Sequence, residues 1–153
     1  MSRTRMLRII SSALLVLACV APAVGAASPA PSDAPNSVHL VKDCSKFTGQ
    51  PGTSCTIVSS NLDVIPVGSQ YIYYGPQISN PMFISSQMVI DAGGGNSAFG
   101  YCVVDLHAGA SGLCTYWAGT GTLTGFNAVL DVTVDQDTGL WHLDGTYLMA
   151  PGA

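Results

Sequence analysis

The chain has 153 residues, of which 48% are hydrophobic and only 9% are charged, and its formal net charge is −4. Beyond residue 8 the only strong bases are Lys42 and Lys46, which stand against nine aspartates and no glutamate. This excludes the basic surface that nucleic acid requires, and it leaves no arginine to clamp a phosphate or carboxylate in bidentate fashion.

The N-terminal segment predicts a secretory signal peptide over residues 1–27. Three arginines precede an apolar run that is too short to cross a bilayer comfortably, and small residues follow at 24–27. The alternative is a lipoprotein box at 16–19, with Cys19 carrying the lipid. Removal of the leader leaves a formal charge of −7, so we expect no anionic membrane partner after processing and a ligand that is neutral and apolar, or cationic.

A proline-rich stretch over residues 28–37 predicts a flexible linker, which is followed by one domain over 38–153. Gly, Thr, Val and Tyr are abundant there and no helical pattern occurs, which favours an all-β fold. Turn residues separate eight segments of strand composition, as expected for an antiparallel barrel or sandwich. These segments are Val38–Asp43, Cys55–Asn61, Gln70–Gly75, Met82–Asp91, Ala98–His107, Leu113–Thr124, Phe126–Val134 and Leu140–Met149.

The last two segments predict a hairpin whose register can be read from the residues. If Val134 lies opposite Trp141, one face of the hairpin is apolar throughout, and a slip of one residue would scramble both faces. In the preceding hairpin, a turn at residues 108–109 places Cys102 directly across from Cys114.

Four cysteines remain beyond the leader, which is the even number expected of an exported disulfide protein. We predict the pairs Cys44–Cys55 and Cys102–Cys114, each closing a loop of about a dozen residues. A metal or redox site is the rival interpretation, but no Cys-x-x-Cys occurs and the three histidines are scattered. We therefore expect neither a metal nor a cofactor.

The hairpin register makes Asp131 and Asp144 near neighbours, diagonally offset on one face, with His142 beside them. In a barrel lumen, burial and like charge would raise the pKa of one carboxyl group and suit it to acid–base catalysis. On an outward face the two aspartates would be ordinary solvated residues. The sequence pattern alone favours this outward position, since antiparallel sheets usually turn a polar face to water.

Aromatic side chains predict either core packing or the wall of a ligand cavity. Phe99, Tyr101 and Trp117 share one face of the third hairpin, and Tyr73 shares another with Tyr71. An aromatic-lined cavity for an apolar ligand has the same sequence pattern as a packed core, so both interpretations stay open.

The stretches Tyr116–Asp135 and Trp141–Tyr147 resemble the allene oxide cyclase-like barrels, the calycin-like superfamily that includes the dirigent proteins. The resemblance covers about 30 residues closely and the remainder by strand count. It implies an eight-stranded antiparallel barrel that has a hydrophobic lumen and forms a homo-oligomer. Members of this superfamily steer the cyclisation or coupling of an apolar intermediate, and this is the activity that the resemblance implies. The catalytic glutamate of plant allene oxide cyclase and the arginine of dirigent proteins have no counterpart beyond the leader.

Two functions follow as expectations. The first is an exported barrel that holds a small apolar ligand in its lumen, as a cofactor-free cyclase or isomerase acting by templating, with Asp131, Asp144 and His142 as lumen groups. The second is a non-enzymatic secreted binding or inhibitor module that acts through its outer surface. A lumen filled by side chains would favour the second.

Overall fold

The structure, a computed structural model, describes residues 36–80 and 83–150, without the side chains of residues 75–80 and 108. The predicted signal peptide over 1–27 and most of the predicted linker over 28–37 lie outside the described residues. The strands are β1 (Ser37–Asp43), β2 (Ser54–Ser60), β3 (Gln70–Asn80), β4 (Phe83–Gly93), β5 (Asn96–Asp105), β6 (Ser111–Thr120), β7 (Phe126–Val134) and β8 (Trp141–Met149).

All eight strands form one closed antiparallel barrel in chain order, as predicted. The barrel closes where β1 pairs with β8, from Ser37 opposite Thr146 to Lys42 opposite Trp141. Closure leaves no unpaired sheet edge. The helices of the described residues are two single 3₁₀ turns, and neither has the length or the apolar character to cross a membrane.

The third strand is longer than the sequence predicted. A break was expected at Gly75-Pro76, but β3 continues to Asn80 and pairs with β4 on both sides of that point. The pairing is irregular between Tyr74 and Ile78. Such an irregularity accommodates a proline inside a strand, because proline has no N–H to give to the ladder.

The register of the last hairpin is as predicted, with Val134 opposite Trp141 and Phe126 opposite Met149. Its apolar face turns inward: along β7 the residues Phe126, Ala128, Leu130 and Val132 are all buried. Inward side chains from every strand fill most of the lumen, so this lumen is chiefly a packed core.

The two ends of the barrel differ. At one end, buried side chains from the β2–β3 loop (Leu62 and Ile65) and from the turn before β7 (Leu123) belong to the core and close the lumen. The opposite end carries the β1–β2, β5–β6 and β7–β8 connections. Free space inside the lumen lies beneath this second end.

Both predicted disulfides are present, Cys44–Cys55 and Cys102–Cys114. The first ties the end of β1 to the start of β2 across the connecting loop. The second joins directly opposed residues of β5 and β6. Two structural disulfides are consistent with an extracellular or otherwise oxidising environment.

Replacing either cysteine pair by alanine is expected to lower the free energy of unfolding by about 3 kcal/mol, because a loop of about a dozen residues is released in the unfolded chain. The loss should be greater for Cys102 and Cys114, since the buried Tyr71 hydroxyl donates to their sulfur atoms at 2.8 and 3.3 Å and would lose its acceptors. Urea unfolding of the two double variants measures both effects. Equal losses would show that the Tyr71 contact contributes nothing to stability.

Candidate functional site

Lys42 is the only charged side chain among the buried residues that the structure describes, with 2% of its surface exposed. It lies near the end of β1, where Val38 and Leu40 alternate with outward residues and point to the core. Lys42 continues this inward series and pairs with Trp141 of β8. The fold therefore places an amine inside an apolar lumen.

The contacts of the Lys42 ammonium are aromatic. Its Nζ donates a hydrogen bond to the Tyr73 hydroxyl at 2.9 Å and lies 3.6 Å from the centroid of the Tyr71 ring. The Trp141 ring is 5.6 Å away. Within residues 36–80 and 83–150 no carboxylate forms an ion pair with it. Cation–π contacts and one hydrogen bond replace only part of the hydration that burial removes.

Burial lowers the pKa of the Lys42 ammonium to about 7, because desolvation disfavours the charged form. Burial also raises the pKa values of the Tyr71 and Tyr73 hydroxyls, so both remain neutral at physiological pH. No negative charge from these neighbours holds the proton on the lysine. Near neutral pH the site therefore contains a mixture of amine and ammonium.

A cavity of about 70 Å³ lies against Lys42. Its wall is mainly apolar and is formed by seven strands, all except β2, and by the loop after β1. The lining includes Tyr73, Ile84, Val104, Val132 and Trp141, with three disulfide cysteines, Cys44, Cys102 and Cys114. An apolar wall with a few polar groups, here those of Lys42, Tyr73 and Ser86, is the usual composition of a small-molecule site.

The β1–β2 loop forms the outer side of this cavity. Phe47 in that loop is half-buried, lines the cavity, and stacks at an angle against Tyr73 with 4.5 Å between ring centroids. The Cys44–Cys55 disulfide closes the loop at its base. Phe47 therefore forms part of the cavity wall at this end of the barrel.

The three predicted catalytic residues do not line the lumen. Asp131 is exposed on the outer face of β7, directly opposite Asp144 of β8 rather than diagonally offset from it. The Asp144 carboxylate is hydrogen-bonded to the imidazole of His39 on β1, and the His142 ring lies 6.1 Å from that of His39. Because strand residues alternate between faces, the apolar inward positions of β7 and β8 force these polar residues outward. The expectation that these three side chains are lumen groups is therefore wrong.

Of the four predicted ligand-binding aromatics, only Tyr73 lines the lumen cavity. Phe99, Tyr101 and Trp117 are on the outer face, with 40%, 37% and 55% of their surfaces exposed. Phe99 and Trp117 border an open groove of about 320 Å³ together with Tyr74, Gln87 and Val89.

The inward positions beside these aromatics require small residues. A Cβ atom on Gly100 would lie 2.7 Å from Met88 Cε and 2.9 Å from Tyr116 Cδ1. Met88 and Tyr116 therefore already fill the lumen at this level, and the bulky neighbours along β5 have room only outside.

Lys42 is the residue that the sequence analysis missed. Its signal is the alternation of Val38, Leu40 and Lys42 along a predicted strand, which places all three on one face. Val41 obscures this signal, because it is also apolar and also buried. The described residues contain no group of three or more His, Cys, Asp or Glu side chains that could hold a metal ion.

No protein-family model, no curated protein and no solved structure matches this chain. The resemblance to the allene oxide cyclase-like barrels therefore stays a prediction, and the function has to be argued from the site itself.

The lowered pKa of Lys42 makes stability depend on pH. Between pH 7 and the ordinary lysine value of 10.5, the unfolded chain binds a proton that the folded chain does not, so stability rises with pH, by roughly 2 kcal/mol from about pH 7 to about pH 9. Below pH 7 both states are protonated and this slope disappears. Lys42→Met should abolish the rise, whereas Lys46→Met, at an exposed position, should retain it. Denaturant unfolding across this range measures the slope, and equal slopes in wild type and Lys42→Met would contradict the assignment.

Proposed function

We propose that this protein is an exported barrel that binds a small, mainly apolar molecule in the lumen cavity, with Lys42 contacting the polar end of the ligand. The observation that carries the proposal is a buried amine that forms no ion pair with any carboxylate of the described residues and lies directly against an apolar cavity. Burying such a group costs stability, and a titratable group that burial perturbs beside a cavity is a candidate for a functional site.

The size of the cavity limits the ligand. A cavity of about 150 Å³ is enough to hold a benzene ring, and the space beside Lys42 is about 70 Å³. The head of a ligand and its first few carbon atoms therefore fit, while the remainder would extend past Phe47. A templated cyclisation needs the whole substrate enclosed, so the geometry supports binding better than the cyclase or isomerase activity that the resemblance implies.

Export is part of this proposal. The two disulfides need an oxidising environment to persist, and the N-terminal 27 residues have the composition of a secretory signal peptide. A secreted barrel with an enclosed apolar cavity suits the capture of a sparingly soluble molecule.

A second candidate function uses the outer surface, as a binding or inhibitor module. The observation that favours it is the groove beside Phe99 and Trp117, which is larger than the lumen cavity. Exposed apolar patches of this kind occur at protein interfaces. The groove contains no charged residue in its lining, so nothing comparable to Lys42 marks it as a site.

Probes with a common six-carbon tail should distinguish the two sites. We expect 1-hexanol, hexanal and hexanoate to shift the backbone amide NMR signals of Lys42, Tyr73 and Trp141. Val104→Phe, which fills the cavity from β5, should weaken this binding by roughly tenfold or more, since about 1.4 kcal/mol of lost contact already has that effect.

Val103→Phe is the matched control, because Val103 is the preceding residue of β5 and points outward. It should leave probe binding unchanged. Shifts confined to Phe99, Trp117 and Tyr74 and insensitive to Val104→Phe would overturn the lumen site and support the outer groove.

A further inference from the structure

We propose that the Lys42 amine condenses reversibly with the carbonyl carbon of a small aldehyde or ketone held in the lumen cavity, forming an imine. This inference rests on the proposed function, because it names the chemical class of the ligand at the same site. Three features of the site carry it: the access of Lys42 to the cavity, the absence of an acidic partner within the part of the chain that the structure describes, and the hydroxyl group beside its nitrogen.

The amine is positioned as a nucleophile. Lys42 lines the cavity, and its one hydrogen bond to a described residue goes to the Tyr73 hydroxyl. The titratable side chains packed around it are Tyr71 and Tyr73, and both are neutral because burial raises their pKa values. Among residues 36–80 and 83–150, no carboxylate contacts the nitrogen to stabilise the ammonium.

A carbonyl group suits this site better than a carboxylate. Only the unprotonated amine attacks a carbonyl carbon, and a solvated lysine has very little of that form at neutral pH. Burial lowers the pKa of Lys42 to about 7, so about half of it is free amine there. A carboxylate would instead require two buried charges, whose desolvation offsets much of their attraction. An aldehyde or ketone brings no charge into the lumen.

The reaction balances with groups that are present. The nitrogen lone pair attacks the carbonyl carbon, and a proton moves from nitrogen to oxygen to give a carbinolamine. Loss of that hydroxyl as water then requires one proton on the oxygen and removes one from the nitrogen. The Tyr73 hydroxyl lies 2.9 Å from Nζ and stays protonated, so it can donate the first proton and accept the second. The sum is carbonyl plus amine giving imine plus water.

The chain provides an internal control for this reaction. It contains only two lysines, Lys42 and Lys46, and Lys46 is exposed in the β1–β2 loop. Cleavage on the N-terminal side of aspartate, at Asp33, Asp43 and Asp63, puts the two lysines and the chain's amino terminus on three separate peptides. One digest therefore reports each amine independently.

The test is reductive trapping of the disulfide-intact protein with propanal and cyanoborohydride near neutral pH, followed by peptide mass spectrometry. We expect Lys42 to be alkylated faster than Lys46 by roughly tenfold or more, because far more of it is unprotonated. Val104→Phe should suppress trapping at Lys42 but not at Lys46. Tyr73→Phe should slow trapping without abolishing it, and Val103→Phe should have no effect.

The outcomes separate this inference from the function on which it rests. If hexanol shifts the cavity signals but Lys42 reacts no faster than Lys46, the imine is wrong and the binding site stands. If hexanoate binds more tightly than hexanal without reductant and Lys42 is not trapped, the cavity selects an anion and the imine is again wrong. If no probe shifts the cavity signals, the binding function itself fails.

Discussion

Pairing of β1 with β8 closes the sheet, and this closure determines the environment of every other side chain. Once the sheet is closed, each strand has one face in a lumen without bulk water and one face in solvent. The inward positions of β7 are apolar. On β5 the inward residue Gly100 is small, because Met88 and Tyr116 occupy the centre of the lumen at that level. A charged side chain at an inward position has no route to water, and Lys42 is in that position.

Aromatic side chains partly stabilise the buried Lys42 ammonium, which has no carboxylate partner among the described residues. The Tyr71 face and the Tyr73 hydroxyl stabilise the ammonium, but less than water does, and the amine is therefore partly deprotonated near neutral pH. Reactive lysines in proteins are commonly produced by desolvation in this way. A carboxylate at the same place would fix the proton on Lys42 and remove its reactivity, so the absence of glutamate from the chain and the outward position of Asp131 and Asp144 matter to the site.

The sequence predicts the fold well because three patterns indicate the same barrel: the alternation of apolar and polar residues, the positions of the turn residues and the spacing of the cysteines. The β7–β8 register and the Cys102–Cys114 pair follow from matching apolar faces, and both are as predicted.

The site was harder to predict. The apolar face of β7 and β8 already indicated that Asp131 faces outward, yet the first functional hypothesis placed it in the lumen. Along β5 the bulky residues lie outside the barrel and the small ones face the lumen, because side chains of other strands fill the lumen. The sequence pattern of β5 alone does not show which of its two faces is inside.

The two disulfides and the strand pairing of the closed barrel make the cavity wall rigid. Cys44, Cys102 and Cys114 all line the cavity, so both disulfides brace the space beside Lys42, and the ladder holds the strands between them. A ligand of the proposed kind would then have to enter at the end of the barrel where Phe47 lies, in the loop closed by the Cys44–Cys55 disulfide. A braced, mainly apolar wall keeps the Lys42 amine buried. It thereby preserves the low pKa on which the chemistry of Lys42 depends.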